Sequence, residues 1–126
     1  MTGVTEHADD GLLELSVEAG EASCVLRLSG ELDVYTTARL RAALTQQLVD
    51  EGRVHVVVDL TGVTFLDSSG LGTLVRAQRQ ARGLRGSFAV VCGEGPVLRV
   101  MSLTGLTHVL RVHDTLEAAT AELPRR

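Results

Sequence analysis

The sequence predicts a single α/β domain in which a mixed sheet of about four to five strands packs against about four helices. Three observations lead there. The segment His55-Val56-Val57-Val58-Asp59-Leu60 is nearly continuously apolar, as expected of a strand covered on both faces. The segments flanking it repeat apolar residues near helical spacing. A pair of alternating strands comes first, and from there strand and helix signals take turns along the chain, which calls for parallel pairs joined by right-handed crossovers.

A polar segment, 1–10, precedes the domain proper at 11–123. Leu13, Leu15 and Val17 alternate with Glu14, Ser16 and Glu18, and Cys24, Leu26 and Leu28 alternate with Val25 and Arg27, so two strands meet in a hairpin around Gly20-Glu21. Beyond Gly30-Glu31-Leu32-Asp33, one face of 36–49 carries Leu40, Ala43, Leu44 and Leu48: an amphipathic helix, capped by Thr36 or Thr37 and stopped by Gly52. After the apolar strand at 54–60, Leu71, Leu74, Val75 and Ala81 predict a helix over 69–82 that ends at Gly83. A buried strand follows at 87–92. Pro96 then opens a short helix through Leu103, with Gly105 past its end and Met101 and Leu103 as packing residues. A short strand at 109–112 leads to a last helix, where Asp114 and Glu117 have capping-box spacing.

Composition removes several functional classes. The chain has 126 residues, 44% of them hydrophobic, enough for one core, yet its only aromatic residues are Tyr35, Phe65 and Phe88. Readers of single-stranded nucleic acid depend on aromatic platforms, and phosphate-backbone binders need a basic footprint that a net charge of -4 does not supply. No direct nucleic-acid partner is expected. No apolar run approaches the roughly 20 residues that span a bilayer, and Met1 to Asp10 lacks a basic region followed by an apolar one, so the expected location is cytoplasmic with no membrane partner. Cys24 and Cys92 form no Cys-x-x-Cys pair and are expected to be buried, reduced thiols. His55, His108 and His113 are not spaced as metal ligands. No metal and no cofactor are expected.

The chemistry concentrates in Thr64-Phe65-Leu66-Asp67-Ser68-Ser69-Gly70-Leu71-Gly72, which sets two adjacent hydroxyls between a strand and a helix start. Serine is favoured there because its oxygen accepts an unpaired backbone N–H, and the same N–H groups and the helix dipole tolerate an added negative charge. The pattern therefore serves as a plain cap or as a place to attach a phosphate. Glu31 and Asp33, after a strand end, read either as a partner-facing carboxylate pair or as turn chemistry. Arg76, Arg79 and Arg82, continuing to Arg85, form a stripe that suits a solvated face or an acidic partner. Ser68 as a hydrolase nucleophile is opposed by the absence of Gly-x-Ser-x-Gly, since Leu66 and Gly70 supply half of it. Gly70-Leu71-Gly72 as a phosphate cradle lacks the Walker lysine, and the chain has no lysine at all.

The order strand, strand, Gly30-Glu31-Leu32-Asp33, helix, apolar strand ending Asp59-Leu60, then Phe65-Leu66-Asp67-Ser68-Ser69-Gly70-Leu71-Gly72 resembles the STAS domain of bacterial anti-sigma factor antagonists. The resemblance runs from about Leu12 to Ala121. It implies a STAS-type fold and a binding protein rather than an enzyme. In that family the unphosphorylated antagonist binds an anti-sigma factor that is also a serine kinase and so frees the sigma factor; phosphorylation ends the complex, and a serine phosphatase restores the unphosphorylated form. By resemblance the acceptor is Ser68, with Ser69 the alternative, and the partner-binding surface comprises Glu31, Asp33, Asp67, Ser68, Ser69, Gly70, Leu71 and Gly72. A STAS module of another assembly, a sensory signalling complex or a lipid-transport system, is the competing expectation. The phosphorylated and unphosphorylated forms are expected to share one fold, because a surface helix terminus supplies only about 0.3–1 kcal/mol toward a new charge.

Overall fold

The computed structural model describes residues 8–9 and 12–124. Among these residues six strands lie in the order in which they occur along the chain: β1 (Ala8–Asp9), β2 (Leu13–Ala19), β3 (Ser23–Leu32), β4 (His55–Leu66), β5 (Ser87–Val91) and β6 (Arg111–His113). The first three are antiparallel neighbours and the last four run parallel. The sheet is thus mixed, as the sequence predicts, with the two-residue β1 added in the segment read as polar. The α-helices among the described residues are α1 (Thr37–Thr45), α2 (Ser68–Gly83), α3 (Pro96–Leu103) and α4 (Leu116–Ala121).

Alternation along the strands decides which helix packs where. Cys24, Leu26 and Leu28 of β3, Val56, Val58 and Leu60 of β4, and Phe88 and Val90 of β5 face the layer built by Leu40 and Leu44 of α1, Leu74 and Ala77 of α2, and Met101 of α3. The intervening residues Val25, Val57 and Val91 point the other way and meet Ala119 and Leu116 of α4. The near-continuous apolarity of β4 has this cause: both faces are covered. Because β3 to β6 step across the sheet in one direction, the strand order never reverses, and there is no switch-point crevice of the kind that holds nucleotides in doubly wound folds.

Several boundaries differ from the sequence reading. β4 continues six residues beyond Leu60, through Thr61-Gly62-Val63-Thr64, because it follows β3 past bulges between Arg27 and Ser29 and between Gly30 and Glu31. Neither Thr36 nor Thr37 caps α1 through its side chain. After Thr45 the helix widens into a π turn, Gln46–Asp50, before Gly52 takes φ +68°. Asp114 and Glu117 form no capping box: Thr115 is the cap, and its hydroxyl accepts the Ala118 N–H at 3.1 Å. The short strand begins at Arg111, with Val109 closing a 3-10 turn before it. Met101 is fully buried as expected, whereas Leu103 is 81% exposed. Cys24 and Cys92 are both buried and free.

Candidate functional site

The loop after β3 and the start of α2 form one hydrogen-bonded unit at the carboxyl end of the parallel strands. Gly30 makes the approach possible. Its φ is +113°, and an added Cβ would fall 2.0 Å from the Leu12 carbonyl oxygen, so only glycine lets the two backbones close. Glu31 then donates its N–H to the same Leu12 oxygen at 2.8 Å and pairs in register with Phe65.

Asp33 builds the turn. Its Oδ1 accepts the N–H groups of Tyr35 at 2.9 Å and Thr36 at 3.0 Å. Thr36 replies by accepting the Asp33 N–H at 3.0 Å while donating its hydroxyl to the Glu31 carbonyl at 2.8 Å. Asp33 is therefore engaged in holding the loop, and the pair Val34-Tyr35 is pushed outward, 64% and 81% exposed. Phe65, 49% exposed at the end of β4, adds a third outward apolar side chain.

The cap of α2 is Asp67, not a serine. Oδ1 accepts the backbone N–H of Ser69 at 2.9 Å and of Gly70 at 3.2 Å, as an N-cap should. The Ser69 hydroxyl also donates to it, at 2.5 Å. That bond, first among the causes, holds the Asp67 carboxyl below its usual range; the N–H groups of Gly70, Ser69 and Val34 act in the same direction against the opposing effect of burial. The Val34 contact joins the β3–α1 loop to the head of α2.

Ser68 occupies the first helical position, exposed, and among the described residues its hydroxyl makes no hydrogen bond. No described histidine hydrogen-bonds to it; His55 instead meets the Ser87 hydroxyl at 2.9 Å. The constellation of a serine hydrolase is absent among the described residues. No group of side chains able to hold a metal ion occurs among them either, and no described helix is long and apolar enough to cross a membrane.

The remaining residues of the motif divide by depth. Gly70 is buried: an added Cβ would meet Leu66 Cδ1 at 2.6 Å and Leu32 Cβ at 3.2 Å, so it is the contact point between α2 and the strand ends. Leu71 turns into the core. Both are buried, although the resemblance places both on the partner-binding surface. Gly72 lies outward, and Ser68, Gly72 and Arg76 succeed one another at helical spacing on a single face of α2. The Arg76 guanidinium folds back over Gly72, 3.6 Å from where a Cβ would stand. The sequence reading missed Val34, Tyr35 and Phe65 as surface residues; an apolar pair wedged between the turn residue Asp33 and the buried Thr36 was the available signal.

Residues 14–119 match the family described as STAS domain. The chain is 30% identical over 111 residues to an anti-sigma F factor antagonist of Paenibacillus polymyxa, covering 88% of this chain and 95% of that protein. It is 32% identical over 85 residues to an anti-sigma-B factor antagonist of Listeria monocytogenes, covering 68% and 74% of the two chains. The crystal structure of an anti-sigma factor antagonist from Mycobacterium paratuberculosis superposes with a TM-score of 0.75 at 28% identity, over 88% of this chain and 93% of that one. Fold, site motif and relatives agree, and the chain belongs to the STAS domain family, among the anti-sigma factor antagonists.

Proposed function

We propose that this protein is the switchable partner of an anti-sigma factor serine kinase: unphosphorylated it binds the kinase and releases a sigma factor, and phosphorylation of Ser68 ends the complex. The observation that carries this reading is the contrast between neighbouring hydroxyls. Ser69 is tied to Asp67, while Ser68 is exposed and unbonded beside an outward apolar rim of Val34, Tyr35 and Phe65. A kinase needs a hydroxyl that it can orient for itself, and a partner needs apolar area to bury.

In the transfer, Ser68 Oγ forms a bond to the γ-phosphorus of ATP as the bond to the bridging oxygen of ADP breaks, and the hydroxyl proton passes to a base of the kinase. The product gains about -1.5 to -2 charges next to Asp67. Like charges brought together in an interface cost several kcal/mol, and each ~1.4 kcal/mol is a tenfold loss of affinity, so one phosphate suffices to dissociate the pair without refolding. A serine phosphatase restores the free hydroxyl: water bonds to the phosphorus as the P–Oγ bond breaks, inorganic phosphate leaves, and a proton returns to Ser68 Oγ. Among the partner residues expected from the sequence, Glu31, Ser68 and Gly72 supply contact; Asp33, Asp67, Ser69, Gly70 and Leu71 hold that surface in shape.

The test is a binding and phosphorylation assay with the anti-sigma factor of the source genome. Wild type should co-elute with it in ADP, take up one phosphoryl group in ATP and then separate, while Ser68→Asp should neither bind nor accept phosphate. Equal binding by both forms, with no phosphate taken up, would move the protein to the sensory or transport assemblies that also use this fold.

A further inference from the structure

The charge of this chain is segregated. Its net charge is -4, yet α1 and α2 hold five of its twelve arginines, Arg39, Arg41, Arg76, Arg79 and Arg82, and none of its sixteen carboxylate residues. The two helices pack side by side and leave an open groove of about 180 Å³ between them. Buried Leu44 and Ala77 lie at its base, Arg41 and Thr45 line it from α1, and Arg76 and Gln80 line it from α2. On other elements Arg27 meets Glu18, Arg53 meets Glu51 and Arg111 meets Glu122, while Arg85 and Arg99 have no ion pair among the described residues. Neither Arg41 nor Arg76 has a side-chain hydrogen bond or ion pair among the described residues.

We infer that the α1–α2 groove is a docking site for an acidic peptide segment of a protein partner, with Arg41 and Arg76 as the two carboxylate-binding groups. Arginine is suited to this because its planar fork binds carboxylates in pairs and is always charged. Two unpartnered guanidiniums either side of an apolar floor offer a short acidic segment both its counter-charges and a surface for its side-chain carbons. The groove also continues the Ser68 face, since Arg76 folds back over Gly72 toward it. A nucleic acid is a poorer fit: the molecule as a whole repels a long polyanion, and no aromatic side chain lines the groove for a base to stack on. The site goes beyond the Ser68 switch, because it binds whether or not that serine is the acceptor.

A short poly-glutamate peptide is the probe, titrated into isotope-labelled protein at low salt and followed by amide shifts. Saturable shifts are expected at Thr45, Thr73, Arg76 and Gln80. Arg41→Gln with Arg76→Gln should weaken binding about fivefold or more, and physiological salt should weaken it further. Arg27→Gln with Arg99→Gln, on β3 and α3 away from the groove, removes the same two charges and serves as the control, which should bind as wild type. Arg41 and Arg76 are exposed and lie outside the buried core, and unchanged spectra of the free variants confirm their fold. The inference is overturned if no saturable shift occurs in the groove, or if the groove double variant binds as tightly as the control. It is overturned equally if an oligothymidylate of matched charge binds there at least as well, or if sedimentation shows a dimer that the groove double variant abolishes, which would give the groove to a second copy. Failure of Ser68 to accept phosphate touches none of these readouts.

Discussion

Ser69 Oγ donates to Asp67 Oδ1 at 2.5 Å, and this contact gives two adjacent serines different chemistry. Asp67 holds the Ser69 hydroxyl in one orientation, whereas the Ser68 hydroxyl, unbonded among the described residues, is left for the kinase to orient. Ser69→Ala should therefore still accept a phosphoryl group, and Ser68→Ala should not. Phosphopeptide mapping of the two variants after incubation with the kinase decides between them; a phosphate that persists in Ser68→Ala would make Ser69 the acceptor.

The same bond fixes the sign of an acid effect. The folded-state pKa of Asp67 is lowered from 3.8, so its contribution to stability is present above that value and is lost as pH falls through the lowered one. Ser69→Ala removes the largest cause of the shift and should raise the Asp67 pKa, read directly by carboxyl NMR titration. Asp67→Ala removes the cap altogether and should cost about 0.5–2 kcal/mol at neutral pH, with Asp67→Asn costing less because its amide oxygen still accepts the N–H groups. Denaturant titrations at neutral pH and at successive steps below pH 3.8 should show the wild type converging on Asp67→Ala as the pH falls through the lowered pKa.

Two glycines two residues apart in α2 should respond oppositely to alanine. At Gly70 the new methyl would enter the buried junction with Leu66 and Leu32, where overpacking of about 1–3 kcal/mol exceeds the helix-propensity gain of about 1 kcal/mol. At Gly72 the nearest atom is the mobile Arg76 guanidinium at ordinary contact distance, so only the gain remains, about 0.4–1 kcal/mol. Gly70→Ala should lower and Gly72→Ala should raise the unfolding midpoint; the reverse order would show that the α2–strand junction is looser than these distances require.

Those two glycines also show what the sequence could and could not say. Alternation in β2 and β3 and the apolar run of β4 place the sheet, because periodicity records which face of an element is covered. Thr61-Gly62-Val63-Thr64 hides the second half of β4, since its pairing with β3 depends on bulges that no local pattern encodes. Asp-Ser-Ser-Gly announces a helix start, but Asp67, Ser68 and Ser69 are all good caps, and the choice of Asp67 depends on the loop that brings Val34 to it. Leu103 carries the right spacing for packing and yet ends α3 in the open, just before the helix stops at Thr104. Depth along a helix face is a tertiary property, and so is the outward turn of Tyr35.

Burial pushes the Cys24 thiol up to about 12, with Arg53 opposing, and raises that of Cys92 as well. Both should resist a disulfide-exchange reagent at mildly alkaline pH in the native state and react together once denaturant is added. The linkage runs against alkali: an unfolded thiol ionises near 9.0 while the folded Cys24 does not, so stability is full below that pH and is lost as pH rises toward 12. Cys24→Ala should flatten the alkaline limb of the stability profile. Rapid native labelling of either thiol would contradict its burial.

Tyr35 is the sharpest test of the docking face. At 81% exposure it contributes little to folding, and truncating it should change stability by no more than about 0.5 kcal/mol. Yet the Asp33–Thr36 turn holds its backbone firmly, so ordering it in a complex costs little, and interface hot spots of about 2 kcal/mol or more are enriched in tyrosine. Tyr35→Ala should therefore weaken binding to the anti-sigma factor about thirtyfold while leaving the fold intact. Leu103→Ser, equally exposed at the end of α3, is the matched control and should bind as wild type. Calorimetry on the pair separates the alternatives: if Leu103→Ser loses affinity and Tyr35→Ala does not, the partner covers the end of α3, and a charge on Ser68 would have no interface to oppose.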